Sequence, residues 1–401
     1  MPDLSLFVLL LLALFIGWWV GRRKASKKEE DSGIDPAYYK GLYYLISQRP
    51  DQAIDSFVDN LEVNAETLDM HLAIGKMLRK RGELERAIKV HQNLLTRPNL
   101  TRQQRATAHL ELARDYLKSG WFDRAEGLLL DAVNKHPALE KEALSFLLEI
   151  YEEERDWLNC ILTGDKLLPR NLLGQRIKSH TELQMSMGHY CCEIAEAAIK
   201  TEDWSSARRY LKQAIGYDPG SLRAMLLEAR LERLNGRNKQ ALGVLRQIPA
   251  EQFATSNEAM ALLYDCYKAL GDDKSLIDYL RKLVDVYPSD TLVLALAQQL
   301  EKQCSKEQAA EFVVEQVRKR PSLKGVLQVL RISAENSTGE VHTNLDFVQD
   351  LMGDWLDKKP NYRCKDCGFS VVNHIWHCPS CKRWSSMRQL KGIAGDQDIA
   401  R

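Results

Sequence analysis

The chain has 401 residues, 28% of them charged, and its 56 Lys and Arg nearly balance its 55 Asp and Glu, for a formal net charge of +1. That balance argues against a global attraction to nucleic acid. With 12 Pro and 22 Gly there is little room for long low-complexity stretches, while the length suffices for two or three domains with buried cores.

From Leu4 to Val20 the residues are almost all apolar, Ser5 being the clear exception. As a helix the run reaches roughly 25 Å, slightly less than the ~30 Å hydrocarbon core of a bilayer. Trp18 and Trp19 stand where an interfacial aromatic pair belongs, and Arg22, Arg23, Lys24, Lys27 and Lys28 follow. Basic side chains can snorkel and so ease the mismatch. A cleaved signal peptide would carry its basic residues before the apolar run and a small-residue cleavage site after it. Here the order is inverted, which favours an uncleaved transmembrane anchor over residues 1–21 and a basic linker over 22–34. The positive-inside rule then keeps the remainder in the cytoplasm.

Residues 35–360 read as a helical repeat. Small residues recur in pairs twelve positions apart: Gly41/Ala53, Gly75/Ala87, Ala113/Ala125, Ala195/Ala207, Ala229/Ala241 and Ala297/Ala309. Such pairs let two antiparallel helices approach closely. Pro137, Pro219 and Pro321 follow the second small residue by twelve and mark helix ends, because proline cannot continue a helix interior. Gly120, Gly236 and Gly271 punctuate the turns between helices. Cys160 and Leu276 hold the second small position in two weaker units, Pro288 follows Leu276, and Val348 with Pro360 allows a divergent ninth pair. A long step between Cys160 and Ala207 flags an insertion near 169–188. A period near 34 residues is that of the tetratricopeptide repeat, and eight or nine such pairs would stack into an all-α superhelix with a concave binding surface.

The residues one and four places after the first small position should face that groove. They include Lys76, Arg79, Arg114, Arg230 and Arg233, with Lys118 nearby. Such a groove would suit an acidic partner, whereas the plainer reading is a solvated helix face. If these positions are exposed, reversing Arg79 and Arg230 should weaken binding and leave stability nearly unchanged.

The nine cysteines divide into two sets. Cys160, Cys191, Cys192, Cys266 and Cys304 are scattered through helical-looking sequence, a layout unlike a secreted disulfide framework. Cys364, Cys367, Cys378 and Cys381 instead form two Cys-x-x-Cys pairs separated by ten residues, in a small module over 361–390 that leaves a tail at 391–401. Each pair can present two thiolates from one tight turn, and two turns complete a tetrahedral site for one zinc or iron ion. His374 and His377 are reserve ligands at most once four thiolates fill the tetrahedron. A thioredoxin-like redox motif would need a surrounding βαβ pattern, which this segment lacks. The neighbouring Tyr362, Phe369, Trp376 and Trp384 are expected to pack on the last repeat helices around Trp355.

An apolar run ending in WWVGRRK, the repeat frame, and a terminal CKDCGF…HCPSCKRW together resemble the lipopolysaccharide assembly protein B family of Gram-negative bacteria. The terminal segment is similar to the knuckles of rubredoxin. Its spacing is shorter, and Lys382 stands where the second knuckle usually has glycine; both departures favour a structural role. The resemblance implies a non-enzymatic adaptor in the inner membrane that faces the cytoplasm. It also implies restraint of lipopolysaccharide synthesis, through degradation of the lipid A pathway's committed-step deacetylase by an FtsH-type membrane AAA+ protease. Nucleic acid is not an expected partner; a homo-oligomer is left open. No Gly-x-Ser-x-Gly, His-Glu-x-x-His or phosphate-binding glycine loop competes with this reading. Two alternatives from other classes are a membrane-tethered iron redox carrier and a nucleic-acid-binding zinc ribbon on a helical scaffold.

Overall fold

The computed structural model describes Leu14, Phe15, Trp18 and Trp19, then residues 36–47, 49, 51–54, 56, 67–98, 100–169, 182–335, 337–357 and 360–390. The chain divides into two compact units, Met1–Arg155 and Asp156–Arg401. The first holds α1 (Pro36–Ile46), α2 (Leu68–Arg81), α3 (Leu84–Leu95), α4 (Arg102–Lys118), α5 (Phe122–Lys135), a 3-10 turn (Pro137–Leu139) and α6 (Glu140–Glu154). The second opens with α7 (Trp157–Leu167), α8 (Glu182–Lys200), α9 (Trp204–Tyr217), α10 (Leu222–Leu234) and α11 (Asn238–Leu245). It continues with α12 (Ala250–Thr255), α13 (Asn257–Leu270), α14 (Asp273–Val286), α15 (Asp290–Gln303), α16 (Lys306–Lys319), α17 (Leu323–Glu335) and α18 (Glu340–Asp357). Three short strands, β1 (Tyr362–Cys364), β2 (Ser370–Val371) and β3 (Met387–Gln389), complete it.

The small-residue frame sets the helix pairing. Ala53, Ala87, Ala125, Ala207, Ala241 and Ala309 are all buried, as are the first-position residues Gly75, Ala113, Ala195, Ala229 and Ala297. Larger apolar residues such as Leu129, Leu211, Tyr116 and Tyr267 fill the space between them, each worth roughly 1.5–3 kcal/mol of burial. From α2 to α6 and from α7 to α11 each helix packs on its successor, and the first helix of a pair also touches the first helix of the next, as α2 does α4 and α8 does α10. That two-way contact is the tetratricopeptide arrangement.

Local chemistry ends the helices where the sequence requires. Gly120, Gly236 and Gly271 take φ of 76°, 74° and 64°, the left-handed geometry that glycine adopts without steric penalty. Pro219, Pro288 and Pro321 fall just past the ends of α9, α14 and α16. Thr101 and Gln104 form a reciprocal capping box at α4, and Asp203, Ser221, Ser256, Asp272, Ser289 and Ser305 cap six helices of the second unit.

The frame missed some features. Residues 170–181 of the expected insertion lie outside the described residues, and 182–188 form the first turns of α8, at 19 residues a long first helix. The short helix α12 stands between two pairs and has no counterpart in the periodicity. Leu4, Val20, the linker 22–34 and the tail 391–401 also lie outside the described residues. Leu14, Phe15, Trp18 and Trp19 are helical and exposed. Among the described residues, no helix is long and apolar enough to cross a membrane.

Candidate metal centre

The sheet that carries the cysteines has the order β2-β1-β3, both pairings antiparallel, with Tyr362 opposite Val371 and Gln389, and Cys364 opposite Met387. Two knuckles of matching construction stand on it. In the first, Cys364 N donates to Phe369 O at 2.8 Å and Gly368 N to Cys364 O at 3.0 Å. In the second, Cys378 N donates to Arg383 O at 3.0 Å and Lys382 N to Cys378 O at 2.8 Å. Gly368 has φ 79° and Lys382 φ 57°, so both knuckles need a left-handed residue just after their second cysteine. The second knuckle keeps the geometry although it lacks the glycine.

The four Sγ atoms lie within 4.8 Å of one another, with Cys364–Cys381 and Cys367–Cys378 each at 3.6 Å. A tetrahedron with metal–sulfur bonds of ~2.3 Å has edges of about 3.8 Å, so the donor set fits one soft ion. Burial works against ionisation of Cys364, yet Ser386 and the N–H groups of Cys367 and Asp366 outweigh it and lower the thiol to about 6. Burial and the neighbouring thiols push Cys381 up to about 12. Four thiolates so close cannot all ionise without a cation, and a divalent metal supplies that charge. His377 Nε2 donates to Lys382 O at 2.8 Å, and His374 stands edge-on to Trp376 with centroids 4.5 Å apart. Neither belongs to the ligand cluster.

The module docks at a place the sequence reading did not give. Trp384 stacks on His189 of α8 at 4.8 Å and on His377 at 4.4 Å, with Tyr190 and Trp157 meeting it edge-on. His189 Nε2 and Ser385 Oγ are hydrogen-bonded at 2.7 Å, and Tyr362 Oη donates to Thr255 O at 3.2 Å. Burial pushes His189 down to about 3, so the ring in this aromatic stack is neutral. Among the described residues the seat is therefore α7, α8 and the end of α12; the Trp355 side chain, around which packing was expected, lies outside the described residues. The only hint in the sequence was the irregular step that precedes α8.

Five of the six expected groove cations stand in ion pairs with the neighbouring first helix, Arg230 being the exception. In the first unit Arg79 bridges Glu111 at 2.6 Å and Asp115 at 2.7 Å, Lys76 reaches Glu111 at 3.3 Å, and Arg114 joins Glu111 to Glu142. Lys118 meets Glu149 at 3.2 Å. In the second unit Arg233 meets Asp265 at 3.4 Å, while Arg230 is half-buried near Glu258. Arg79 has only 14% of its side chain exposed, so the expectation of a freely reversible surface charge fails there. Cys160, Cys191, Cys192 and Cys266 are core residues; burial pushes the Cys192 thiol up to about 12.

Residues 362–389 match the family model described as "Rubredoxin metal binding domain", and residues 71–106 and 198–262 match tetratricopeptide repeat models. Lipopolysaccharide assembly protein B of Escherichia coli K12 is 30% identical over 393 residues, covering 97% of this chain and 99% of that one. The chain belongs to the lipopolysaccharide assembly protein B family. The Haemophilus influenzae lipopolysaccharide assembly protein B is also 30% identical, over 96% of this chain and 98% of its own. Among solved structures, a tetratricopeptide repeat protein from Parabacteroides merdae is similar with a TM-score of 0.32 at 14% identity, over 67% of this chain and 99% of that one.

Proposed function

We propose that this chain is a non-enzymatic adaptor of the inner membrane that regulates lipopolysaccharide biosynthesis from the cytoplasmic side. In this reading it presents the lipid A committed-step deacetylase to an FtsH-type membrane AAA+ protease. The observation that carries the proposal is the end-to-end match to lipopolysaccharide assembly protein B, with repeats and metal-binding domain in one order. Repeat arrays bind segments of other proteins along extended surfaces, which is what an adaptor needs. The run Leu4–Val20, with Trp18 and Trp19 at its end, would hold adaptor and protease in one membrane and raise their effective concentration. When bound, the metal acts as a cross-link that folds the terminal module; Cys364, Cys367, Cys378 and Cys381 hold it, and Trp384 seats the module on α8.

The test is replacement of the resident family member, in a Gram-negative host, by this chain with or without residues 1–21. The full chain should shorten the half-life of the deacetylase in a protease-dependent way, and the truncated chain at equal abundance should do so far less. An unchanged half-life with the full chain would overturn the adaptor reading. Equal action by both forms would remove tethering from it.

A further inference from the structure

The cations that the repeat frame singled out in the first unit are neutralised by carboxylates, but another set in that unit is not. Between the start of α4 and the end of α5 lies a cavity of about 410 Å3, lined by Arg102, Arg105, His109, Asp131, Lys135 and His136. Its volume is that of a small-molecule pocket. Asp131 is the one carboxylate in the lining, and Lys135 holds it at 2.6 Å. Arg105 forms no ion pair among the described residues. Arg102 Nη2 donates to Lys135 O at 3.1 Å, which fixes the guanidinium at the wall and covers a terminal carbonyl of α5 that would repel an anion. Another such carbonyl, Ala132 O, accepts from His136 N at 2.9 Å.

Three permanent cations, all reaching solvent, line it with one carboxylate, leaving a surplus of two positive charges. Burial lowers the His109 pKa, an effect that Arg105, His136 and Lys135 reinforce and Asp131 opposes, so its ring enters as a neutral donor and acceptor. A surplus of two matches a dianionic phosphate monoester, and two guanidinium forks suit its oxygens better than ammonium groups would. The room beyond one phosphate fits a sugar-sized remainder.

We propose that this cavity binds the phosphate monoester of a sugar-sized ligand, with Arg102 and Arg105 as its principal grips. The site belongs to the first unit and the metal centre to the second, and the proposal does not depend on the adaptor reading. Titration calorimetry of the full chain with a hexose 1-phosphate, at physiological ionic strength, tests it. Saturable binding at one site is expected, weakened about tenfold or more in Arg105→Ala. Lys89→Ala, which removes an exposed charge of the same unit outside the cavity, should change the affinity less than twofold. Equal binding by Arg105→Ala and the parent, or heat that sodium chloride abolishes at matched ionic strength, would overturn the proposal. Vesicles of phosphatidylcholine with phosphatidic acid distinguish the source. Displacement of the sugar phosphate by them makes the ligand a lipid headgroup, and its retention makes it a soluble metabolite; either upholds the phosphate site.

Discussion

The imidazole of His91 occupies the space that a side chain at position 75 would need: a Cβ built on Gly75 comes within 2.4 Å of its Cε1 and Nε2. His91 is fully buried and its Nδ1 pairs with Asp115, so the ring has nowhere to go. Gly75→Ala should therefore destabilise the first unit by about 1–3 kcal/mol, although alanine normally favours a helix. Gly127→Ala is the control, because a Cβ there meets nothing within 4 Å; it should stabilise by up to ~1 kcal/mol. Urea denaturation of the two variants checks the pair, and a more stable Gly75→Ala would refute the packing argument.

Arg79 is the cation between two buried acids, Asp115 at 0% and Glu111 at 3% side-chain exposure. Arg79→Glu should cost about 3–5 kcal/mol by stranding both. Lys118→Glu, at an exposed pair, should cost under ~1 kcal/mol. Similar losses in the two variants would mean that the network contributes little.

The same network implies a pH dependence. Burial pushes the Glu111 carboxyl up, but Arg79, Arg114 and Lys76 hold it net below 4.5. A depressed folded-state pKa means a contribution fully present above pH 4.5 and lost as pH falls through the lowered value. Stability of the first unit should fall in that acid window, and Arg79→Met should flatten this part of the profile. Hydrogen exchange of α2 and α4 amides against pH would read it.

Cys367→Ser should release the metal, unfold residues 361–390 and free Trp384 from His189, while the repeat helices persist. Elemental analysis should give one ion per parent chain, and tryptophan fluorescence should report the undocking. A variant that keeps both its metal and its protease resistance would contradict the four-thiolate site.

Lys382 carries a left-handed backbone without being glycine. Lys382→Gly should relieve about 1 kcal/mol and slow metal loss to a chelator, whereas Gly368→Ala, with φ 79°, should speed it. Faster loss from Lys382→Gly would show that its side chain matters more than its backbone.

What the sequence disclosed follows from what leaves a periodic mark. Ala125, Ala207 and Ala241 repeat because every helix pair needs close approach, and Cys364 through Cys381 are spaced by the geometry of two turns. Contacts that occur once leave no period. The seat of Trp384 on His189 joins residues 195 apart in sequence, and nothing local in either segment encodes it. The frame likewise put Arg79 on a face but could not name Glu111 and Asp115 as its partners, since those lie on the next helix pair. His91 opposite Gly75 was hidden for the same reason: a missing side chain in one helix is intelligible only beside the bulky one that replaces it.

Fastening Ser385 and Trp384 onto His189 turns the chain between them into a closed circuit. A linear stack frays from an open end, one pair at a time, since each pair leans only on its neighbours. Within that circuit a pair cannot peel away without straining or breaking the clasp, so α8 through β3 should melt as one cooperative block, with the bound ion as the rivet that sets its temperature.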